Sequence, residues 1–188
     1  DGLPASFFKY TAGSIAFPLS VIFNLSLQTG DIPDIWKLAS VVPVFKKGSP
    51  SDPCNYRPIS LTCIACKLME SGIKEALLAF LKEHKIINDS QHGFMARKST
   101  TTHLLECNLD WNIAFSCKNG VDVVYLDFAK AFYSVVHSKL IVKLRSFDVC
   151  GMLLRWIESF LANRFQAVRV GSSYSSICNV ISGVPQGS

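Results

Sequence analysis

Val123-Val124-Tyr125-Leu126-Asp127-Phe128-Ala129-Lys130-Ala131-Phe132 runs apolar and aromatic residues straight into a carboxylate, then follows it with a small-then-aromatic pair. The stretch from Val121 to Asp127 predicts a buried β-strand that delivers one acid at its end. A carboxylate in that position needs a partner, and a Mg²⁺ ion is a natural one. An Asp ending a strand can equally cap the next turn, and these residues alone leave both readings open. Asp122 does not complete a metal site. Its odd spacing turns it to the opposite face, and at ~3.3 Å per residue it lies on the order of 16 Å away. Two-ion centres gather their ligands around ions roughly 3.5–4 Å apart.

Outward from this stretch, helical and strand patterns intermingle, which predicts a mixed α and β domain rather than a bundle or sandwich. Upstream, residues 16–28 carry Leu19, Ile22, Phe23 and Leu27 at helical spacing, with Pro18 in the first turn and Gly30 as the stop. Leu38 to Phe45 is β-rich, and its Pro43 favours an edge strand or a hairpin arm. The polar tip Lys46 to Pro53 is loaded with turn residues, and Tyr56 to Thr62 returns as the second arm. Cys66 to Glu83 predicts a helix with Leu68, Ala76, Leu77, Phe80 and Leu81 near one face. Ser99 can cap another, running to about Phe115 with Leu104, Leu105, Leu109 and Ile113 inward. Downstream, helices are expected from Ser138 to about Ser146 and from Leu153 to Ala162, separated at Gly151. A hairpin follows, its arms Gln166 to Val170 and Ile177 to Ile181.

Composition narrows the field. The 188 residues are 49% hydrophobic, enough for one sizeable core or two small lobes sharing one. A net charge of +5 is compatible with nucleic acid without identifying it. Seven irregularly spaced cysteines and no secretory leader predict free thiols in a reduced, intracellular setting, with nucleus and cytoplasm unresolved. Cys63-Ile64-Ala65-Cys66 has metal-like spacing but no second pair, so two core cysteines are expected. The apolar run Ile15 to Leu27 is interrupted by Pro18, Ser20, Asn24 and Ser26 and does not read as a membrane span. No initiator Met opens the chain, which suggests an excised piece.

Two basic loops stand out. Lys46 and Lys47 at the hairpin tip, with Arg57 on the return arm, place cations where phosphates could be clamped, although a solvated turn has the same composition. Gln91 to Thr100 is a second basic loop, opening a helix whose N-terminus favours anions.

The order of the segments resembles a known family. Trp36-Lys37-Leu38-Ala39 and Val42-Pro43-Val44-Phe45-Lys46-Lys47-Gly48 come first. Asn55-Tyr56-Arg57-Pro58-Ile59-Ser60-Leu61, Gln91-His92-Gly93-Phe94, Leu126 to Phe132 and Ser182-Gly183-Val184-Pro185-Gln186-Gly187-Ser188 then follow. In this order they are similar to the blocks of a reverse transcriptase, most of all the non-LTR, LINE-type retrotransposon enzymes of the jockey and chicken-repeat kind. The resemblance covers nearly the whole chain. It implies an α+β right-hand polymerase fold with fingers and an incomplete palm: about 1–66 fingers with an N-terminal helix, 67–137 palm, 138–180 fingers helices and hairpin, 181–188 the start of the next palm block.

The resemblance also implies roles. Asp127 matches the first catalytic aspartate, a ligand of both Mg²⁺ ions in the complete enzyme, with the Phe128 carbonyl adding a ligand. Phe132 matches the aromatic beneath the incoming sugar that excludes a 2′-hydroxyl. Arg57, with Lys46 and Lys47, matches the residues gripping the triphosphate; the amides of Lys130 and Ala131 lie near the phosphates. Gln186 and Gly187 lie against nucleotide and template. The implied partners are an RNA template, a DNA primer and deoxynucleoside triphosphates, with no membrane and no defined oligomer.

The chain departs from the pattern twice. Tyr133 stands where LINE-type enzymes usually carry a second Asp, a change that retroviral-type enzymes tolerate and that decay of an element copy could also produce. The Tyr-x-Asp-Asp block, which holds the remaining metal-binding carboxylates, is not in the sequence. These 188 residues are therefore expected to lack polymerase activity by themselves, to pack loosely around Val121 to Asp127, and to expose apolar surface there. The alternative is a degenerate, non-catalytic remnant acting at most as an RNA-binding or interaction module.

Overall fold

A computed structural model describes residues 3–186, in two compact units. The first comprises residues up to Leu77 and from Lys130 onward, and the second Leu78–Ala129. Among the described residues no cysteine forms a disulfide.

The first unit opens with α1 (Ala5–Tyr10) and α2 (Ala12–Thr29). The chain leaves α2 at Gly30, whose φ of 80° lets its amide reach back to the Ser26 carbonyl at 2.9 Å, the stop expected from the sequence. The start differs. α2 begins at Ala12, so Pro18 lies inside it rather than in its first turn. By length and composition alone this helix could cross a bilayer. Along one side of it Leu19, Phe23 and Leu27 pack on the core, and buried Ser26 links Trp156 to Asp31: the Trp156 indole donates to Ser26 Oγ at 3.1 Å, and Ser26 donates to the Asp31 carbonyl at 2.6 Å. Ile22 faces outward.

After α3 (Asp34–Lys37) come β1 (Leu38–Phe45) and β2 (Tyr56–Leu61), an antiparallel hairpin with Val44 opposite Arg57 and Pro43 opposite Pro58. β1 is no edge strand: residues Leu38 to Val41 also pair in parallel with β3 (Arg164–Val170). Pro43 lies beyond that pairing, on the hairpin-arm portion. β3 is flanked further by β4 (Ser173–Tyr174) and β5 (Cys178–Val180). Behind the sheet, α4 (Ile64–Glu83), α6 (His137–Ser146) and α7 (Gly151–Leu161) supply the core with α2 and α3. Trp156 stacks on Phe160 at 5.1 Å, and Phe23 meets Trp36 edge-on at 5.9 Å. The face α4 buries is Ala65, Cys66, Met69 and Ile73, not the face of Leu68 and Ala76, both of which are exposed. Cys63 and Cys66 are core residues as expected.

The second unit contains the end of α4 and α5 (Thr100–Ser116). Ser99 caps α5 in a reciprocal box with Thr102, as its sequence suggested. Two expectations fail here. Leu104, Leu105, Leu109 and Ile113 do not point inward; each is more than half exposed. Nor is Val121–Asp127 a strand. The segment has no regular structure and no ladder partner among the described residues, and Leu126 is 88% exposed. An apolar, β-branched run becomes a strand only when neighbouring strands take its N–H and C=O groups, and this unit offers none. The expected apolar surface around Asp127 is present.

Candidate functional site

In the first unit, the hairpin tip is built rather than slack. The Lys46 amide donates to the Asn55 carbonyl at 2.8 Å, Asn55 Nδ2 donates to the Ser49 carbonyl at 3.0 Å, and Tyr56 Oη donates to the Pro50 carbonyl at 2.9 Å. Gly48 has φ 93°, and a Cβ there would fall 2.6 Å from the Asn55 amide, so the turn requires glycine. Lys46, Lys47 and Arg57 are all exposed on this hairpin, free to meet an anion.

Arg57 sits next to an unusual pair. Prolines face each other at 43 and 58, and neither can donate to a ladder. The Ser60 amide turns away from β1 and donates to the Gln186 carbonyl at 2.8 Å. Period-two alternation then turns the Pro58 carbonyl the same way, so the prolines occupy a position where no ladder N–H is needed. That outward carbonyl is met by the hydroxyl of Tyr133.

Tyr133 lies in a tight turn. Lys130, at φ 54°, accepts from the amides of Tyr133 at 2.9 Å and Ser134 at 3.0 Å. The opening amides, those of Lys130 and Ala131, donate to no acceptor among the described residues. Phe132 is 40% exposed. Segment 182–186 is laced onto this turn: Gly183 donates to the Val135 carbonyl at 2.8 Å, Val184 to the Phe132 carbonyl at 2.9 Å, and Ser182 Oγ to the Tyr133 carbonyl at 3.2 Å. The imidazole of His137 reaches the Gly183 carbonyl at 2.7 Å. The Tyr133 hydroxyl also lies against the side-chain oxygen Oε1 of Gln186. Burial raises the pKa of this phenol, with Arg57 pulling the other way, so it stays a neutral hydroxyl at physiological pH. A cleft of about 250 Å³ lies alongside, bounded by Ser60, Tyr133, Arg164, Gln166 and Ser182.

The structure thus brings together the segments bearing Arg57, Phe132 and Gln186, through a residue that sequence reasoning treated only as a departure. Gly187 lies outside the described residues. Asp127 and Phe128 belong to the second unit, where both are exposed. No cluster of three or more Asp, Glu, His or Cys side chains suited to a metal occurs among the described residues. A two-ion centre needs several such ligands, so the described residues do not by themselves fit one.

A profile of the reverse transcriptase (RNA-dependent DNA polymerase) family matches residues 44–188. Among curated relatives in Drosophila melanogaster, the chain is 35% identical over 181 residues to the probable RNA-directed DNA polymerase from transposon BS. It is 34% identical over 171 residues to the RNA-directed DNA polymerase from mobile element jockey, and 30% identical over 171 residues to the probable RNA-directed DNA polymerase from transposon X-element. Each alignment covers 90% of this chain and 19% of the relative, so the chain spans about a fifth of their length. Reverse transcriptases adopt a polymerase fold and work with divalent metals, which agrees with the mixed helix-and-sheet architecture. The chain belongs to the reverse transcriptase family, alongside the jockey-type enzymes of non-LTR retrotransposons.

Proposed function

We propose that this chain forms the fingers and part of the palm of an RNA-directed DNA polymerase, and that it grips the incoming deoxynucleotide. The observation that carries the reading is the convergence on Tyr133 of strand β2, the Lys130–Ser134 turn and segment 182–186. Arg57, with Lys46 and Lys47, supplies charge for the triphosphate: the guanidinium as a fork, the ammonium groups as point charges. The amides of Lys130 and Ala131 add donors beside it. Phe132 lies under the sugar, and Gln186 and Gly187 meet the nucleotide and its template base. In the complete enzyme Asp127 supplies one carboxylate and Phe128 a main-chain carbonyl to two Mg²⁺ ions; the partners are an RNA template and a DNA primer.

Sugar selectivity tests this. In the protein as its reading frame encodes it, Phe132→Ala removes the ring that a 2′-hydroxyl would strike. Incorporation of ribonucleotides relative to deoxynucleotides on a primed RNA template should rise at least 10-fold. An unchanged ratio in an active variant rejects the assignment of Phe132. The competing view, a degenerate RNA-binding remnant, drew on Tyr133 as a sign of decay, and a hydroxyl engaged on two sides weakens that ground.

A further inference from the structure

Tyr133 has chemistry that a carboxylate in its place could not supply. A phenol has one proton to donate and lone pairs that accept. The Pro58 carbonyl can only accept, and because it points away from β1 no ladder N–H reaches it. The Gln186 side-chain oxygen Oε1 stands against the same hydroxyl, and one proton cannot serve two oxygens. Once it goes to the Pro58 carbonyl, the phenol oxygen can only accept, which requires the two ends of the Gln186 amide to be exchanged. Gln186 must then present its NH₂ to Tyr133 and turn its carbonyl oxygen away. The two amide ends are otherwise interchangeable in shape, so this contact fixes which one faces outward. A carboxylate at 133 would repel the Pro58 carbonyl and could not make the same chain of donors.

We propose that Tyr133 is a positioning residue for nucleotide binding, its hydroxyl holding the Gln186 amide in one orientation and locking segment 182–186 to the strand that bears Arg57. This deepens the nucleotide-grip reading and rests on it. A main-chain bond from Ser60 to Gln186 supports the same lock independently, and bonds from Gly183 to Val135 and Val184 to Phe132 hold the segment to the Tyr133 turn.

The test is Tyr133→Phe, which keeps the ring and removes only the hydroxyl, in the protein as its reading frame encodes it. Binding of a fluorescent dATP is measured in Mg²⁺ on an RNA template whose DNA primer ends in a dideoxynucleotide, so no bond forms. Loss of one such hydrogen bond should weaken dATP about 3- to 10-fold, leave primer-template affinity unchanged, and be non-additive with Gln186→Ala. Unchanged dATP affinity, multiplicative losses in the double variant, or a Y133F protein that no longer folds would overturn the proposal. If the wild-type protein binds no dATP, the grip reading itself fails, and hydrogen exchange decides the lock separately. Y133F should then speed exchange of the Ser60 amide about 3- to 10-fold; unchanged protection would overturn it.

Discussion

Gly183→Ala is the substitution whose cost the geometry fixes best. Gly183 sits at φ 85°, and a Cβ there would stand 2.8 Å from Tyr133 Cα, 2.9 Å from the Tyr133 carbonyl oxygen and 3.0 Å from that of Phe132. All three are main-chain atoms, so no rotamer change relieves the clash. The left-handed conformation costs alanine about 1–2 kcal/mol, and overpacking adds about 1–3 kcal/mol. The less flexible unfolded chain returns about 0.4–1 kcal/mol. A net loss of about 1–5 kcal/mol follows. Gly72 provides the opposite case: it lies within α4 with nothing within 4 Å of a would-be Cβ. Gly72→Ala should stabilise by about 0.5–1 kcal/mol. Urea unfolding followed through Trp36 and Trp156, 5% and 2% exposed in the core of the first unit, reads both variants. A Gly183→Ala protein within about 0.5 kcal/mol of wild type would refute the reasoning, because segment 182–186 would then not be pressed against the Tyr133 turn.

Two further outcomes follow from buried groups. Ser26→Ala strands the Trp156 indole N–H and the Asp31 carbonyl without their shared partner, and should cost about 1–3 kcal/mol in the same urea assay; no loss would contradict that link. Burial, with the Glu70 carboxylate 3.2 Å from its sulfur, holds the Cys66 thiol protonated far above the usual thiol range. The folded chain keeps a proton that the unfolded chain releases above pH ~8.5. That part of the stability is therefore complete below this pH and falls as pH rises, by at most about 1.4 kcal/mol per unit. Cys66→Ala should flatten the alkaline slope of stability against pH, and an identical slope would contradict the assignment.

Much of this architecture is legible in the sequence. The hairpin of β1 and β2 reads cleanly because turn residues from Lys46 to Pro53 separate two β-rich runs, and Gly30 and Ser99 mark helix ends by local chemistry. What escaped depends on partners distant along the chain. The strand reading of Val121–Asp127 assumed neighbours that the described residues do not provide, and the apolar stripe of α5 lacks a cover for the same reason. On α4 the apolar positions fall on more than one face, so periodicity alone chose Leu68 over Met69. The Tyr133–Gln186 contact joins residues 53 apart, and no local signal announces it. The outward Pro58 carbonyl follows from the register of β1 and β2, which the sequence does not display.

The most direct test of the central claim is primer extension on an RNA template by the protein as its reading frame encodes it, with and without Asp127→Ala. The account predicts template-directed deoxynucleotide addition in the presence of Mg²⁺, reduced at least 1,000-fold by the substitution, and none from the 188 residues alone. Addition that survives Asp127→Ala, or addition by the isolated 188 residues above their own Asp127→Ala control, would contradict it.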